Sequence, residues 1–387
     1  MKRICFLMDS IFSYGGVQRV TAVIAKELAK DHDVTIVTLD KSAQQDTTLY
    51  DLHEAPIHYR FFCYPTTPRM KDRCCKMYSM LFRKVLPQTR LTSRWYSHSS
   101  FPSEKREALA QALAQGGYDV IVGVHAPLAV RLAACRKRLQ GVRLVGWIHN
   151  SYEALFGCGS LYIGPELRKH YEYQLEKLDA TVVLCHDDAR KYHFPTQVIY
   201  NPLTLKPGKP SVGISRKFLA VGRFSRRHKG FDLLIEAFHL FAPKDNEWTL
   251  DIVGEGPEEP LYRRLIATYG LEERVSIHPF TNDIQSFYSR AQVYVLSSRW
   301  EGFGLVLVEA MAHGLPVVSS NLPTSLEIMG DFGLYFRNGD AADLARQLEA
   351  ATRIDWAAHS HKARMIAQRF DISAIIRQWK EILSLND

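Results

Sequence analysis

Short apolar runs rich in Val and Ile alternate with longer helix-patterned stretches along almost the whole chain. The runs fall at residues 3–8, 34–39, 57–62, 120–124, 142–148 and 181–185, with helical periodicity at 17–30, 104–115, 127–139 and 165–178 between them. Continuous apolarity means that a strand is covered on both faces, which a parallel sheet between two helical layers provides. The stretch NPLTLKPGKPSVGIS, 201–215, then breaks the pattern with Pro, Gly and Ser. The alternation restarts with runs at 217–221, 249–253, 275–277, 293–296 and 316–319, and with helices beginning near Phe231, Pro257, Asn282, Gly304 and Ala341. Segments 357–369 and 372–385 close the chain as helices with no strand between them. At 387 residues the chain exceeds what one hydrophobic core usually serves. The expected fold class is α/β, with two doubly wound, Rossmann-like domains at 1–203 and 216–370 and a linker at 204–215. Ligands of open parallel sheets bind beyond the carboxyl ends of the strands, so the two sets of loops are expected to face each other across a cleft.

With 46% hydrophobic and 23% charged residues, the chain has apolar material for two cores and no disordered composition. Seven cysteines, adjacent at Cys74 and Cys75 and nowhere spaced Cys-x-x-Cys, suggest neither a disulfide framework nor a zinc site and point to a reducing compartment. The apolar run before Asp9 is too short for the core of a signal peptide, and no run of roughly 18 uncharged apolar residues occurs. A soluble or peripheral protein is expected. The net charge of +8 is concentrated, because eleven Lys and Arg lie between Arg60 and Arg106 against Asp72 and Glu104. Phe61, Phe62, Tyr64, Tyr78, Phe82, Trp95, Tyr96 and Phe101 are interleaved with them. Such a mixture suits the headgroup zone of an anionic membrane surface. Nucleic acid is served by similar residues, and a solvated loop with snorkelling side chains is the plain alternative.

Residues that carry chemistry should stand directly after strands. The first strand runs into DSIFSYGGVQR, Asp9 to Arg19, where Gly15 and Gly16 open a helix whose unpaired N–H groups suit an anion. The Gly-x-Gly-x-x-Gly spacing of dinucleotide sites is absent there, as is the Gly-Lys-Ser/Thr of a P-loop. In the second half GRFSRRHKG, 222–230, crowds four cations and a histidine at the end of a strand. They repel one another unless an anion such as a diphosphate lies among them. VGEGP, 253–257, again places glycines between a strand and a helix. Finally SSRWEGFGLVLVEAMAHGLPVV, 297–318, sets Glu309 among Leu305, Val306, Leu307, Val308, Ala310 and Met311. A carboxylate in such surroundings is costly unless something hydrogen-bonds to it. A vicinal diol such as a ribose would serve, and so would a buried Arg or Lys. Glu301 either meets the hydroxyls of a sugar or is a helix N-terminal carboxylate favoured by the dipole.

Glu301-x7-Glu309 followed by AMAHGLPVV resembles the signature of retaining nucleotide-sugar glycosyltransferases of the two-domain GT-B type, family 4. The similarity extends over most of the chain, through GGVQR, VGWIHN (145–150), IYNP (199–202), VGRFSRRHKGFDLLIEAF (221–238) and IVGEGP (252–257). The resemblance implies that Arg223 and Lys229 hold the donor diphosphate, Glu309 the nucleotide ribose and Glu301 the transferred sugar. Gly302, Phe303 and Gly304 would present backbone to sugar and phosphate, with Gly254 also in the donor site and Phe280 against the base. Gly16 would approach the diphosphate from the other domain, and His149 would lie near the sugar. Which of Arg226, Arg227 and Lys229 meets phosphate stays open. The first domain would take the acceptor, the second the donor, and a helix at 371–387 would return to the first.

The implied reaction moves a hexosyl or N-acetylhexosaminyl group from a nucleotide-sugar, UDP-sugar first, to a lipid-linked glycan acceptor in bacterial polysaccharide, capsule or O-antigen assembly. Configuration would be retained, and no metal or other cofactor is expected, because fixed cations and a helix N-terminus would stabilise the leaving diphosphate. Removing one such donor typically slows turnover about 10²–10³-fold, the loss expected for Arg223→Ala and Lys229→Ala with the fold intact. The expected location is cytoplasmic and peripheral, on the inner face of the cytoplasmic membrane, with segment 60–106 on anionic lipid and no nucleic acid partner. A GDP-mannose-dependent mannosyltransferase, a nucleotide-sugar epimerase and a non-catalytic donor-binding subunit of the same fold are the alternatives.

Overall fold

A computed structural model describes residues 1–160, 162–205, 210–211 and 213–385, so positions 206–209 and 212 of the expected linker lie outside the described residues. The chain divides into two compact units, Met1–Pro202 with Ile372–Asp387, and Leu203–Asp371.

The first unit is built on β1 (Arg3–Met8), β2 (Asp33–Thr38), β3 (Ile57–Phe61), β4 (Val120–Val124), β5 (Arg143–Trp147), β6 (Ala180–Val183) and β7 (Gln197–Val198). All pair in parallel, in the order β3-β2-β1-β4-β5-β6-β7. β4, VIVGV, is buried at every residue, as a central strand covered on both faces must be. Helix α1 (Gly16–Leu28) turns Val20, Ile24 and Leu28 inward. The last helix, Ile372–Ile382, belongs to this unit. Its Trp379 packs edge-on against Trp147 with ring centroids 4.6 Å apart, and Arg143 Nε donates to the Ile382 carbonyl over 2.7 Å.

The second unit carries β8 (Lys217–Val221), β9 (Thr249–Val253), β10 (Val275–His278), β11 (Val293–Leu296), β12 (Val317–Ser320) and β13 (Leu334–Phe336), parallel in the order β10-β9-β8-β11-β12-β13. Its core is aromatic where β8 meets the helix Phe231–Phe241: Phe218 lies on Trp248 at 4.5 Å and against Phe241 at 5.6 Å. The expectation of two parallel-sheet α/β domains is met.

The segment 60–106 departs from its sequence reading. It holds helices α2 (Arg69–Lys84) and α3 (Arg90–Ser100), followed by α4 (Ser103–Gln115). Phe82, Tyr96 and Phe101, read as part of an outward mixture, are buried, with Phe82 stacked on Tyr96 at 4.4 Å. Phe82 is the only buried residue of α2, so the apolar spacing at Met70, Cys74, Met77 and Leu81 follows an exposed face and does not mark a core one. Strands β7 and β13 were also unread, being two and three residues long. Among the described residues no helix is long and apolar enough to cross a membrane.

Candidate functional site

In the second unit the strand order reverses between β8 and β11, and a crevice at such a reversal is where open α/β sheets bind ligands. Two loops leave these strands, 222–230 and 297–304, and they lock together at Gly230. Its φ is 62°, and a Cβ there would stand 2.3 Å from the Ser297 carbonyl oxygen, so only glycine fits. The Arg299 N–H donates to the His228 carbonyl at 2.7 Å, and Ser297 Oγ donates to the Lys229 carbonyl at 2.9 Å. The Lys229 stem lies over Gly222, where a Cβ would approach Cε to 2.9 Å.

This packing brings Lys229 and Glu301, 72 positions apart, into direct contact, with Nζ 2.6 Å from Oε1. Ser298 Oγ donates to the same oxygen over 2.6 Å, and His228 Nε2 stands 3.7 Å away with its ring stacked on Trp300. Glu301 is 8% exposed. Burial pushes its carboxyl up, but the charges of Lys229 and His228 outweigh that and hold it well below the usual carboxylate range. The site therefore contains a permanent carboxylate gripped by a cation.

The other cations of the loop are arranged differently. Arg226 Nε is 2.9 Å from Asp232, which Arg299 also engages through both terminal nitrogens at 2.9 and 3.0 Å. Arg226 is thus tied into a structural cluster, although it is exposed, as Arg223 and Arg227 are.

Glu309 lies in the helix Leu305–Ala312 and is 2% exposed. Hydroxyls hold it: Thr204 Oγ1 donates to one carboxylate oxygen at 3.0 Å and Tyr288 Oη to the other at 3.1 Å. Gly304 caps this helix in the left-handed region at φ 84°, next to half-buried Gly302. Phe303 is buried edge-on against Phe370 at 5.6 Å. Gly254 has a reason internal to the fold, since a Cβ there would lie 2.0 Å from the Gly222 carbonyl oxygen. Phe280, 43% exposed, stands two residues beyond the edge strand β10 and away from the β8/β11 reversal.

In the first unit the order reverses between β1 and β4. Gly16 is the exposed first residue of α1. His149, two residues past β5, is buried between Trp147 at 4.2 Å and His125 at 5.3 Å, and its Nε2 has no hydrogen-bond partner among the described residues. Burial, and then the neighbouring His125, hold His149 well below the ordinary histidine range, so the ring is neutral at pH 7. His125 follows β4 with φ 74°, a strained conformation for a non-glycine residue.

The comparisons agree along the chain. The family model described as Glycosyltransferase Family 4 matches residues 14–206, and that described as Glycosyl transferases group 1 matches residues 206–369. The chain belongs to the family 4 glycosyltransferases. It is 24% identical to an uncharacterized glycosyltransferase of Haemophilus influenzae, over 99% of this chain and 100% of that one. It is 28% identical to the lipopolysaccharide core biosynthesis mannosyltransferase LpsB of Rhizobium meliloti, over 41% of this chain and 50% of that one. The structure of Anabaena Alr3699/HepE in complex with UDP-glucose superposes with a TM-score of 0.76 at 21% identity, covering both chains in full, and so shares the GT-B fold.

Several residues around the candidate site were not singled out from the sequence. Ser298 had a weak signal, lying three residues before Glu301, and His228 was counted only with the loop's charge. Thr204 and Tyr288 had none, because they reach Glu309 across 105 and 21 positions. His125 is betrayed only by its backbone.

Proposed function

We propose that this glycosyltransferase moves a hexosyl or N-acetylhexosaminyl group from a UDP-sugar to a lipid-linked glycan in bacterial surface-polysaccharide assembly, with retention of configuration and without a metal. The carrying observation is the Lys229–Glu301 contact at the β8/β11 reversal, beside exposed Arg223. When the bond between the anomeric carbon and the diphosphate breaks, negative charge gathers on the diphosphate and positive charge on the sugar ring. Arg223 and Lys229 meet the first, and the permanent carboxylate of Glu301 takes sugar hydroxyls and offsets the second. The acceptor hydroxyl attacks on the face the diphosphate leaves, and its proton passes to the departing phosphate oxygen. Glu309, already bonded to two hydroxyls, suits a ribose, and the neutral His149 offers Nε2 to a sugar hydroxyl without adding charge. Gly16, Gly254, Gly302 to Gly304 and Phe280 complete the proposed donor contacts. The enzyme would work in the cytoplasm, peripheral on the inner face of the membrane.

GDP-mannose is the second reading, favoured by the likeness to the mannosyltransferase LpsB. A thermal-shift screen of UDP-glucose, UDP-N-acetylglucosamine and GDP-mannose separates the two. A tight donor at 100 times its Kd adds about 2.7 kcal/mol of stability. No shift with any nucleotide-sugar would remove the donor assignment, and an inverted anomer in the product NMR spectrum would remove retention.

A further inference from the structure

Helices α2 and α3 pack through Phe82 on Tyr96 and Tyr78 against Trp95, leaving their other faces outward. On α2 positions 70, 73, 74, 77, 81 and 84 share one helical face, and all are exposed. That face carries Met70, Cys74, Met77 and Leu81 together with Arg73 and Lys84, and Met80, Val85, Leu91 and Trp95 are exposed elsewhere on the helix pair, so large apolar side chains and cations face outward together. Beside it, between α2, α3 and the start of α4, lies a cavity of about 520 Å³ lined by Lys76, Arg83, Lys84 and Lys105 together with Ser99 and Tyr96. One carboxylate, Asp72, lines it and pairs with Lys76 at 2.6 Å. Arg83 is held in place by the Tyr96 hydroxyl at 3.3 Å. Met80 and Lys84 belong to both features, so a cationic pocket opens directly onto an apolar face.

We propose that this pocket takes the phosphate of an anionic membrane phospholipid while Met77, Met80, Leu81 and Trp95 lie among the acyl chains. A free phosphate or nucleotide would satisfy the cations but leave the apolar face in water, whereas a bilayer covers both at once. The inference deepens, and rests on, the membrane side of the proposed function. Its assay contains neither donor nor acceptor and so leaves the transfer reading untouched, and vesicle binding that survives the pocket substitutions removes the pocket while sparing membrane association.

The full chain is floated with vesicles of phosphatidylcholine alone or with phosphatidylglycerol at one part in four. Binding is expected only with phosphatidylglycerol, falling as salt rises. Lys84→Gln with Lys105→Gln, which disturb no hydrogen bond of the fold among the described residues, should weaken it about 25-fold, roughly 5-fold for each cation. Met77→Asp with Leu81→Asp should abolish it while the circular dichroism melt stays unchanged. Equal binding to both vesicles, or undiminished binding by the folded variants, overturns the proposal. So does saturable binding of inorganic phosphate that depends on Lys84 and Lys105 without any vesicle binding, which would mark a free-phosphate site.

Discussion

Replacing Lys229 with Met removes the cation 2.6 Å from a carboxylate that is only 8% exposed. Ser298 still donates to that carboxylate, and His228 remains 3.7 Å away, so Glu301 is not abandoned completely. Taking one partner from a buried pair costs about 3–5 kcal/mol, and the retained Ser298 bond places this case near 3 kcal/mol. For a unit the size of Leu203–Asp371, each kcal/mol moves the midpoint by about 2–4 °C. Scanning calorimetry at pH 7 should therefore show this unit melting about 6–12 °C lower. The pH dependence gives a second, sharper signature. In the native protein the Glu301 carboxyl is depressed, so its contribution is present above the unfolded value of about 4.3 and is lost as pH falls through and below it. Without Lys229, burial, the largest influence on this carboxyl, raises it above the unfolded value, and the variant instead loses stability as pH climbs from 4 toward 7. The deficit should thus be smaller at pH 4 than at pH 7, and Lys229→Met with Glu301→Gln should recover most of it. A Lys229→Met protein melting within 1 °C of wild type at both pH values would refute this reasoning. The expectation that Lys229→Ala leaves the fold intact changes accordingly, because slow turnover in that variant would mix a lost phosphate contact with a stranded carboxylate.

Arg223→Ala is the cleaner test of the diphosphate role, since the side chain is exposed: turnover should fall about 10²–10³-fold with an unchanged melting curve, and steady-state kinetics near wild type would dismiss the role. Gly230→Ala adds a Cβ 2.3 Å from the Ser297 oxygen at φ 62°, so the second unit should lose about 1–3 kcal/mol or more in denaturant unfolding. Tyr288→Phe removes a hydroxyl from the buried Glu309 and should cost about 1–3 kcal/mol, with a weaker thermal response to the donor. Trp379→Ala opens a cavity against Trp147 and should destabilise the first unit by about 3–5 kcal/mol, which urea titration would read directly.

The strands at 3–8, 120–124, 217–221, 249–253 and 293–296 were legible to the residue because a central parallel strand must be apolar at nearly every position, whatever surrounds it. Helices α2 and α3 were illegible for the opposite reason. Their inner contacts are a few aromatic rings and serines, and their outer faces mix Met, Trp and cations, so the helical apolar spacing of α2 lies on an exposed face among charges and no core-facing stripe marks either helix.

The candidate site divides along the same line. A carboxylate at 309 within LVLVEAMA can only be buried, and cations crowded after β8 can only repel one another, so the sequence alone announced both problems. Which groups solve them depends on β8 lying beside β11, a pairing between strands more than 70 residues apart. That neighbourhood joins Lys229 to Glu301 and Arg299 to Asp232, and the packing around it brings two hydroxyls to Glu309. Local composition dictates which groups cannot be left alone, because desolvation is a property of the residue and its immediate run. The choice of partner belongs to tertiary structure, because a hydrogen bond is decided within 3 Å and distance along the chain says nothing about it.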